Sequence, residues 1–396
     1  MAIEMTTLGS NVIETMKSVL AHTKHPVALH EPNFSGNEWK YVKECIDTGW
    51  VSSVGSFVDR FEAQLAEFTD SPYAVAVVNG TAALQVCIQL AGVQSGDEVL
   101  LPALTFIATA NAVSYGGAIP HFVDSSEVTL GLDPHKLRLY LAEISEIKDG
   151  VCFNRKTGRR IRAVVAMHTF GHPVDLDPLI DLCNQFKLEL IEDAAESLGS
   201  YYKNRHTGTF GSLSALSFNG NKIITTGGGG AILTKDRSLA KVAKHLTTTA
   251  RVAHQWSFSH DMIGFNYRLP NINAALGCAQ IERLPEFIAK KRTLAENYKN
   301  AFSSIQGVQV FTEPSFAKSN YWLNALLLDR SFMHERDQIL EESNRAGIAA
   351  RPVWTLMHHL AMYRSCPRMD DLEVAEDIER RLINIPSSAI LGKQHA

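Results

Sequence analysis

Short apolar segments alternate with helix-like segments between about residue 57 and residue 250 of this chain. The apolar segments that have the length of buried strands are AVAVV (74–78), EVLLP (98–102), HFVD (121–124), RAVVAMH (162–168), LELIED (188–193), ALSFN (215–219) and AILTK (231–235). Strands that are separated by helices usually join as parallel neighbours in one sheet. The alternation therefore predicts an α/β fold, in which a mostly parallel sheet is covered by helices on both faces.

The pattern changes after about residue 255. Residues 270–300 read as a long helix with an interruption at Pro285, and residues 320–350 combine a strand, a helix up to Arg345 and a further apolar segment. A chain of 396 residues also exceeds the size of one small core. We therefore expect an N-terminal segment at 1–30, a large α/β domain at 31–255, and a linking helix with a smaller C-terminal α+β domain at 256–396.

Composition limits the kinds of partner and the cellular location that we expect for this chain. The chain has 38 Lys and Arg against 42 Asp and Glu, a net charge of −4, so no general attraction to nucleic acid or to an anionic membrane is expected. The N-terminus lacks the basic and apolar regions of a secretory signal, and no run approaches the roughly 18 apolar residues of a membrane span. The sequence predicts a cytoplasmic protein that binds neither nucleic acid nor membrane.

Neither the cysteines nor the histidines predict a metal site. No CxxC pair occurs among the six cysteines, which are Cys45, Cys87, Cys152, Cys183, Cys278 and Cys366. We expect reduced, mostly buried thiols and no structural zinc. His168 and His172 have the spacing of two ligands on one helix, but Gly171 and Pro173 break the helix there.

Lys222 is the first candidate for chemistry. It follows a predicted strand and precedes a glycine run, in the segment SFNGNKIITTGGGG. An enzyme that uses pyridoxal 5′-phosphate (PLP) needs one amine that forms a Schiff base with the cofactor and later moves a proton. Neighbouring glycines let the backbone approach a bulky ligand. Taken alone, a lysine before a turn is more often an ordinary surface residue.

Other residues strengthen this interpretation through their order along the chain. The turn NGTAAL offers Gly80 and Thr81 to a phosphate at a helix start, although such a turn often only caps a helix. Phe106 either stacks on a flat ring or fills the core. Asp193 ends a predicted strand, where it either keeps a pyridine nitrogen protonated or caps the next helix. A glycine-threonine turn, an aromatic, an aspartate and then Lys222 favour a PLP enzyme.

Several segments resemble the DegT/StrS-type sugar aminotransferases, across nearly the whole chain. The matching segments are HEPNFSGNEW (30–39), NGTAAL (79–84), PALTFIATANAV (102–113), EDAAES (192–197), SFNGNK (217–222), GFNYRLPNINAA (264–275) and RLINIPSS (381–388). The resemblance implies the aspartate-aminotransferase-like fold, also called PLP fold type I, with a seven-stranded, mostly parallel sheet. It also implies PLP as the cofactor.

The resemblance implies a role for each matched residue. Lys222 matches the Schiff-base lysine, and Asp193 matches the partner of the pyridinium nitrogen. Glu196 matches a position near the phenolic oxygen of the cofactor that is usually His or Gln. Gly80, Thr81 and Ala82 match the phosphate-binding turn, and Ser217 matches a phosphate-binding hydroxyl. Phe106 matches the stacking aromatic, and Asn266 matches a residue that the neighbouring subunit supplies. Each active site would then be built from two chains of a homodimer.

The resemblance extends to the substrates. Arg268 matches an anchor for the carboxylate of the amino donor, with glutamate the expected donor. The sugar pocket of the family would take in Trp50, Ser52, Ser53 and His358. The segments HEPNFSGNEWKYVKECIDTGWVSSVG and SFNGNKIITTGGGGA look most like a subgroup that aminates C4 of a UDP-linked 4-keto-6-deoxy-N-acetylhexosamine, for bacterial nonulosonic acids or bacillosamine-type sugars.

Other functions stay open at this point. A GDP-4-keto-6-deoxymannose 4-aminotransferase of the perosamine type and a 3-keto-sugar aminotransferase are close alternatives. PLP sugar dehydratases of the same fold carry histidine in place of the lysine, so Lys222 argues against that reaction. A regulator without catalysis would not need Lys222, Asp193 and Ser217 together. A dinucleotide-dependent oxidoreductase would need a GxGxxG turn, which the sequence lacks.

Overall fold

A computed structural model describes residues 7–393 of the chain. The α-helices are α1 (Leu8–Val19), α2 (Glu38–Thr48), α3 (Ser56–Thr69), α4 (Gly80–Leu90), α5 (Ile107–Tyr115), α6 (Pro134–Ile144), α7 (Leu176–Phe186), α8 (Arg237–Thr247), α9 (Asn271–Phe302), α10 (Arg336–Arg345) and α11 (Glu373–Arg381). Short 3-10 helices cover Thr169–Gly171, Arg330–Glu335, Met357–His359, Ala361–Tyr363 and Ala389–Leu391.

The strands follow the same chain order. They are β1 (Tyr73–Val77), β2 (Glu98–Pro102), β3 (Ile119–Val123), β4 (Ser145–Lys148), β5 (Val151–Asn154), β6 (Ile161–Met167), β7 (Glu189–Asp193), β8 (Tyr201–Tyr202), β9 (Arg205–His206), β10 (Leu213–Ser217), β11 (Gly230–Thr234), β12 (Val308–Val310), β13 (Ala317–Lys318), β14 (Asn324–Leu328), β15 (Arg351–Pro352) and β16 (Leu382–Ile385). Each of the strands expected from the sequence up to residue 235 is present, within two residues at either end.

A seven-stranded sheet forms the centre of the molecule, in the order β1-β11-β10-β7-β6-β2-β3. Neighbouring strands are parallel except at β11, which runs antiparallel to both β1 and β10. Helices cover the sheet, with α4 against β10 and β11 and α7 against β7. Strands buried on both faces must be apolar throughout, which explains the continuous runs in the sequence. The predicted α/β class with a mostly parallel sheet is confirmed.

The C-terminal region adds a second, smaller sheet. This antiparallel sheet has the order β12-β14-β16-β15 and packs with α9, α10 and α11. Pro285 does not interrupt α9, which is continuous over 32 residues. Proline removes one backbone hydrogen bond, but Leu284 and Phe287 beside it are buried, and this packing holds the helix together.

The N-terminal segment packs on this smaller unit. Val12 and Met16 of α1 are fully buried in an apolar core that also contains Tyr298 of α9 and Ile383 of β16. The first six residues of the segment lie outside the described residues. Domain boundaries at residues 30 and 255 stay predictions, because a larger apolar core runs continuously from the central sheet to residues beyond 370.

The carboxyl ends of β1, β2, β7 and β10 lie at one edge of the sheet, because these strands are parallel to one another. The turns that follow them carry Gly80, Phe106, Glu196 and Lys222. This edge is where α/β folds bind ligands. The sequence motifs that are far apart along the chain therefore meet here.

Candidate active site

A cavity of about 240 Å³ opens at this edge of the sheet. The structure brings together in its lining the following predicted residues: Gly80, Thr81, Phe106, Asp193, Glu196, Ser217 and Lys222. Two aromatic residues that the sequence did not single out, Trp322 and Trp354, also line it. Ala82 belongs to the adjacent first turn of α4. The cavity is therefore the site at which the sequence motifs converge.

Lys222 lies on the loop between β10 and β11, with its side chain only 11% exposed. Its Nζ is 3.1 Å from Glu196 Oε1 and 4.0 Å from the centre of the Trp322 ring. The Trp322 indole N–H donates to the Asn221 carbonyl at 2.7 Å, which fixes the ring against the lysine loop. The amine is held inside the cavity, so Lys222 is not an ordinary surface lysine.

Asp193 is the last residue of β7 and is buried. Thr109 Oγ1 donates to its Oδ2 at 2.7 Å, and the Ala195 backbone N–H donates to its Oδ1 at 3.2 Å. Burial raises the pKa of Asp193, against the Thr109 hydrogen bond and the Lys222 charge. Residues 195–196 and 198–199 form turns and no helix follows Asp193, so the hypothesis of a helix cap is wrong. A buried carboxylate facing a cavity suits a cationic ring nitrogen.

Glu196 is buried beside Lys222. Its Oε2 accepts the Phe170 backbone N–H at 2.9 Å, and its Oε1 faces Lys222 Nζ. Burial raises the pKa of Glu196 to about 7, although the positive charge of Lys222 acts in the opposite direction. The carboxyl group of Glu196 therefore changes between its ionised and neutral forms near neutral pH.

The first turn of α4 forms a cradle beside the carboxyl end of β10. Asn79 is the N-cap of α4, and its side chain accepts the Ala82 N–H at 2.8 Å. Gly80 and Thr81 follow, in the part of a helix whose N–H groups have no partner within the helix. A Cβ on Gly80 would lie 2.8 Å from the Ser217 Cβ, so only glycine allows this approach. Free N–H groups beside a hydroxyl at a helix start suit a phosphate.

Aromatic side chains form one wall of the cavity. Phe106 precedes α5 rather than lying within it, and it is 45% exposed, so the alternative of a core phenylalanine is wrong. Its ring centre lies 6.0 Å from that of Trp354, which in turn lies 5.0 Å from Phe170. An exposed aromatic face beside a buried carboxylate and a phosphate cradle fits a flat, phosphorylated pyridine ring. The residues present therefore fit PLP.

The predicted sugar-pocket segment lies outside this cavity. Trp50 is exposed, and its carbonyl accepts the Asn271 side-chain N–H at 2.7 Å, while the Ser52 carbonyl accepts the Asn271 backbone N–H at 2.6 Å. Ser53 continues the same segment and is half-buried. These contacts tie the segment to the start of α9. Its role as part of a sugar pocket stays a prediction.

Asn266 and Arg268 also lie outside the cavity of their own chain. Asn266 is exposed and pairs through its backbone with Thr248, whereas Arg268 pairs with Val77 at the end of β1. Arg268 Nη2 donates to Asn266 Oδ1 at 3.4 Å, and its buried Nε has no hydrogen-bond partner among the described residues. The role of Arg268 as an anchor for the carboxylate of the amino donor stays a prediction.

His358 lies in a different cavity, of about 640 Å³, with Arg364 and Arg368. Ligand atoms of His358, His359 and Glu376 come within 4.8 Å of one another, the one such trio within residues 7–393. Burial and the neighbouring His359 and Arg368 lower the pKa of His358. The two arginines oppose a cation here, so the sequence prediction of no metal site stays in place.

The remaining histidine pair does not form a metal site. His168 Nε2 donates to Glu192 at 3.0 Å, and its Nδ1 accepts the Val174 N–H at 3.2 Å. His172 packs edge-on against Phe311 and Tyr321. Both nitrogens of His168 are thus occupied.

Within the described range, the structure also holds no helix that is long and apolar enough to cross a membrane.

Comparisons with known proteins agree with this site. The model of the DegT/DnrJ/EryC1/StrS aminotransferase family matches residues 32–396. The GDP-perosamine synthase of Escherichia coli O157:H7 is 36% identical over 93% of this chain and 95% of that protein. The GDP-perosamine synthase of Vibrio cholerae is 35% identical over 91% of this chain and 94% of that protein.

Solved structures give the same result. Helicobacter pylori PseC, an aminotransferase involved in the biosynthesis of pseudoaminic acid, superposes with a TM-score of 0.83 at 25% identity. The match covers 92% of this chain and 94% of that structure. Together with the cavity and the residues that line it, these matches show that the chain belongs to the DegT/DnrJ/EryC1/StrS aminotransferase family and is a PLP-dependent sugar aminotransferase.

Proposed function

We propose that the enzyme transfers an amino group from an amino acid, with glutamate as the first candidate, to the C4 ketone of a nucleotide-linked 4-keto-6-deoxy sugar. The observation that carries this proposal is the meeting of Lys222 and Asp193 in one cavity beside the cradle at Gly80. An amine, a buried carboxylate and a phosphate cradle are the protein groups that amino-group transfer through PLP needs. The nucleotide sugar and the amino acid that such a reaction uses make the cytoplasm the proposed compartment.

The nucleotide is the finer part of the proposal. Relatives from Escherichia coli, Vibrio cholerae and Caulobacter vibrioides, 35–36% identical to this chain, are named GDP-perosamine synthases. They support a GDP-linked 4-keto-6-deoxymannose, which the sequence analysis held as its alternative, and we take it as the first candidate. The UDP-linked N-acetylhexosamine, which the segments 30–55 and 217–231 favour, becomes the second candidate.

Each protein group has a defined task in this reaction. PLP, when bound, supplies an aldehyde that accepts the amino group and a ring that delocalises an electron pair. Lys222 holds the cofactor, and its free amine removes the Cα proton of the amino donor. Asp193 keeps positive charge on the ring nitrogen, and the Thr109 hydrogen bond orients that carboxylate. Gly80, Thr81 and Ser217 would hold the phosphate.

We also propose that the active site is completed by a second copy of the chain. Asn266 is exposed and lies away from the cavity of its own chain, as a residue donated to a partner must. Large apolar side chains are exposed on the segments 50–54 and 252–263: Trp50, Val54, Trp256, Phe258 and Ile263. Several large exposed apolar side chains on one chain are typical of an interface. The proposed assembly is a homodimer with shared sites.

A panel of sugar nucleotides tests the proposed reaction. The PLP-loaded enzyme and glutamate are incubated with GDP-, UDP- and dTDP-linked 4-keto and 3-keto sugars, and the products are identified by mass and proton NMR. We expect amination at C4 of the GDP-linked sugar. A UDP-linked product would select the second candidate, and a product aminated at C3 or no product from any sugar would contradict the proposal.

The Lys222→Ala variant is the control for the panel. The fold does not depend on the amine, so the variant should fold and bind PLP or its aminated form without covalent attachment, and turn over negligibly. Turnover at the wild-type rate would remove Lys222 from the mechanism. Glu341→Gln, which changes an exposed pair with Arg345 on α10, should keep full activity.

A further inference from the structure

Glu196 places a carboxylate directly beside the amine of Lys222. The distance from Lys222 Nζ to Glu196 Oε1 is 3.1 Å, and the Phe170 N–H holds the other carboxylate oxygen at 2.9 Å. The Glu196 side chain is buried, as is Asp193 nearby. One oxygen of Glu196 is thus fixed by the backbone, and the other stays directed at the lysine.

The charge on Lys222 decides which form of Glu196 is stable. Burial favours the neutral carboxyl and is the largest effect on the pKa of Glu196. The Lys222 ammonium opposes it, and the negative charge of Asp193 adds to it. The pKa already reaches about 7 with the ammonium in place. Loss of that ammonium would remove the main interaction that keeps the carboxyl ionised.

We propose that Glu196 takes up one proton when Lys222 becomes attached to PLP, so that it is ionised in the cofactor-free enzyme and neutral in the loaded enzyme. Attachment joins Lys222 Nζ to the aldehyde carbon by a double bond and releases the aldehyde oxygen as water. Two of the three ammonium hydrogens leave with that water, and the third is a proton that Glu196 Oε1 can accept. The proposal rests on the function of Lys222 proposed above.

A neutral Glu196 has a different hydrogen-bonding capacity from an ionised one. The Phe170 N–H occupies Oε2, so the proton lies on Oε1, and its O–H points into the cavity as a donor. Glutamine has the same shape and donates an N–H from the same place, but it takes up no proton. Glu196→Gln therefore reproduces the hydrogen bonding proposed for the loaded enzyme and cannot take up the proton.

The test counts protons exchanged when PLP binds to the cofactor-free enzyme. Calorimetric titrations in two buffers of different ionisation enthalpy give that number, at about pH 8.5, where Glu196 beside the ammonium is ionised. Wild type should take up about one proton more per site than Glu196→Gln. Glu341→Gln should give the wild-type count.

Equal proton counts in wild type and Glu196→Gln would overturn the proposal. If Glu196→Gln fails to bind PLP, infrared difference spectra of wild type with ¹³C-carboxyl-labelled glutamate residues decide instead. A band of a protonated glutamate that appears on loading supports the proposal, and its absence contradicts it. Neither measurement uses a sugar, so the outcome is independent of the substrate panel.

Discussion

Single residues in and beside the cavity carry charge that burial disfavours. Asp193 and Glu196 are buried, and Lys222 is a cation that lines the same cavity. Buried ionised groups are stable only when they are paired or hydrogen-bonded. Thr109, Phe170 and Ala195 supply these hydrogen bonds. In the proposed function, the cofactor ring would supply the remaining positive partner of Asp193.

Replacing Asp193 with Asn tests this electrostatic role. The amide keeps the size of the side chain and can still accept from Thr109, but it carries no negative charge to hold a proton on the ring nitrogen. We expect kcat to fall by about 10²–10³-fold, the range for removing one preorganised electrostatic partner. The measurement is steady-state transamination together with thermal unfolding. A near-normal rate would mean that Asp193 is only structural.

Glu192, the neighbour of Asp193 on β7, stabilises the fold rather than the reaction. Its carboxylate accepts from His168 at 3.0 Å and from the backbone N–H groups of Gly208, Phe210 and Gly211 at 2.7, 2.6 and 2.8 Å. Burial alone would raise the pKa of Glu192, but these hydrogen bonds outweigh it and lower the pKa below 4.5. The ionised form is therefore the stabilising one.

Glu192→Gln should lower the free energy of unfolding by about 1–3 kcal/mol at neutral pH, because the amide NH₂ cannot accept from the backbone N–H groups. A carboxyl with a lowered folded-state pKa stabilises fully above its unfolded pKa of 4.5, and this contribution is lost as the pH falls through the folded value. Denaturant unfolding of both proteins should show a gap that narrows below that pH. A gap that is independent of pH would contradict the assignment.

Sequence motifs identify some residues of the cavity and miss others. Gly80, Asp193 and Lys222 could be predicted because each lies at a strand end within its own short motif. Trp322 and Trp354 come from segments more than 90 residues further on. Their approach depends on how the small sheet packs against the lysine loop, for example through the Trp322 bond to Asn221. No local sequence pattern predicts that contact.

The start of α4 is expected to affect both fold stability and cofactor binding. Asn79→Ala removes the side chain that caps the Ala82 N–H and should cost about 0.5–2 kcal/mol of unfolding free energy. A frayed first turn should also weaken PLP binding by roughly 2- to 5-fold, the range for charge at a helix terminus. Thermal unfolding of the cofactor-free enzyme and PLP titration measure the two effects.

Asp236→Ala provides the matched comparison for Asn79→Ala. Asp236 caps α8 through the N–H groups of Ser238 and Leu239, and it does not line the cavity. Its loss should cost similar stability and leave PLP affinity unchanged. If both variants lose affinity equally, the effect is one of general stability, and the cradle at Gly80 has no special part in binding.

Elements with strong apolar patterns could be predicted, and those without could not. The buried strands β2 and β11 are apolar along most of their length, so the sequence predicts them. In contrast, α2 buries only Glu38 and Cys45, so few apolar residues mark it as part of the core. The β4–β5 hairpin did carry a signal, because Asp149 and Gly150 both have positive φ in a turn that favours this dipeptide.

At the level of the whole molecule, the shared site can be tested by mixing two inactive variants. Lys222→Ala chains keep Asn266, and Asn266→Asp chains keep Lys222 but bring a negative charge toward the phosphate. If Asn266 acts in the partner's site, one site of each mixed dimer is intact. Random mixing should then restore about one quarter of wild-type activity.

A second mixture is the control for this experiment. Lys222 and Asp193 line the cavity of the same chain, so mixing Lys222→Ala with Asp193→Asn leaves no intact site in any dimer. That mixture should stay inactive. If the Asn266→Asp protein is fully active on its own, or its mixture with Lys222→Ala gains nothing, the two-chain site is wrong. Sedimentation of each mixture checks that dimers form.

The reversed direction of β11 has a mechanical consequence for the lysine. Because β11 returns beside β10, the Phe218 N–H bonds to the Gly229 carbonyl at 2.8 Å, and the Thr226 N–H bonds to the Phe218 carbonyl at 3.0 Å. Hydrogen bonds thus join the two ends of the loop that carries Lys222. These hydrogen bonds restrain the backbone on both sides of Lys222, whose side chain has to move during turnover.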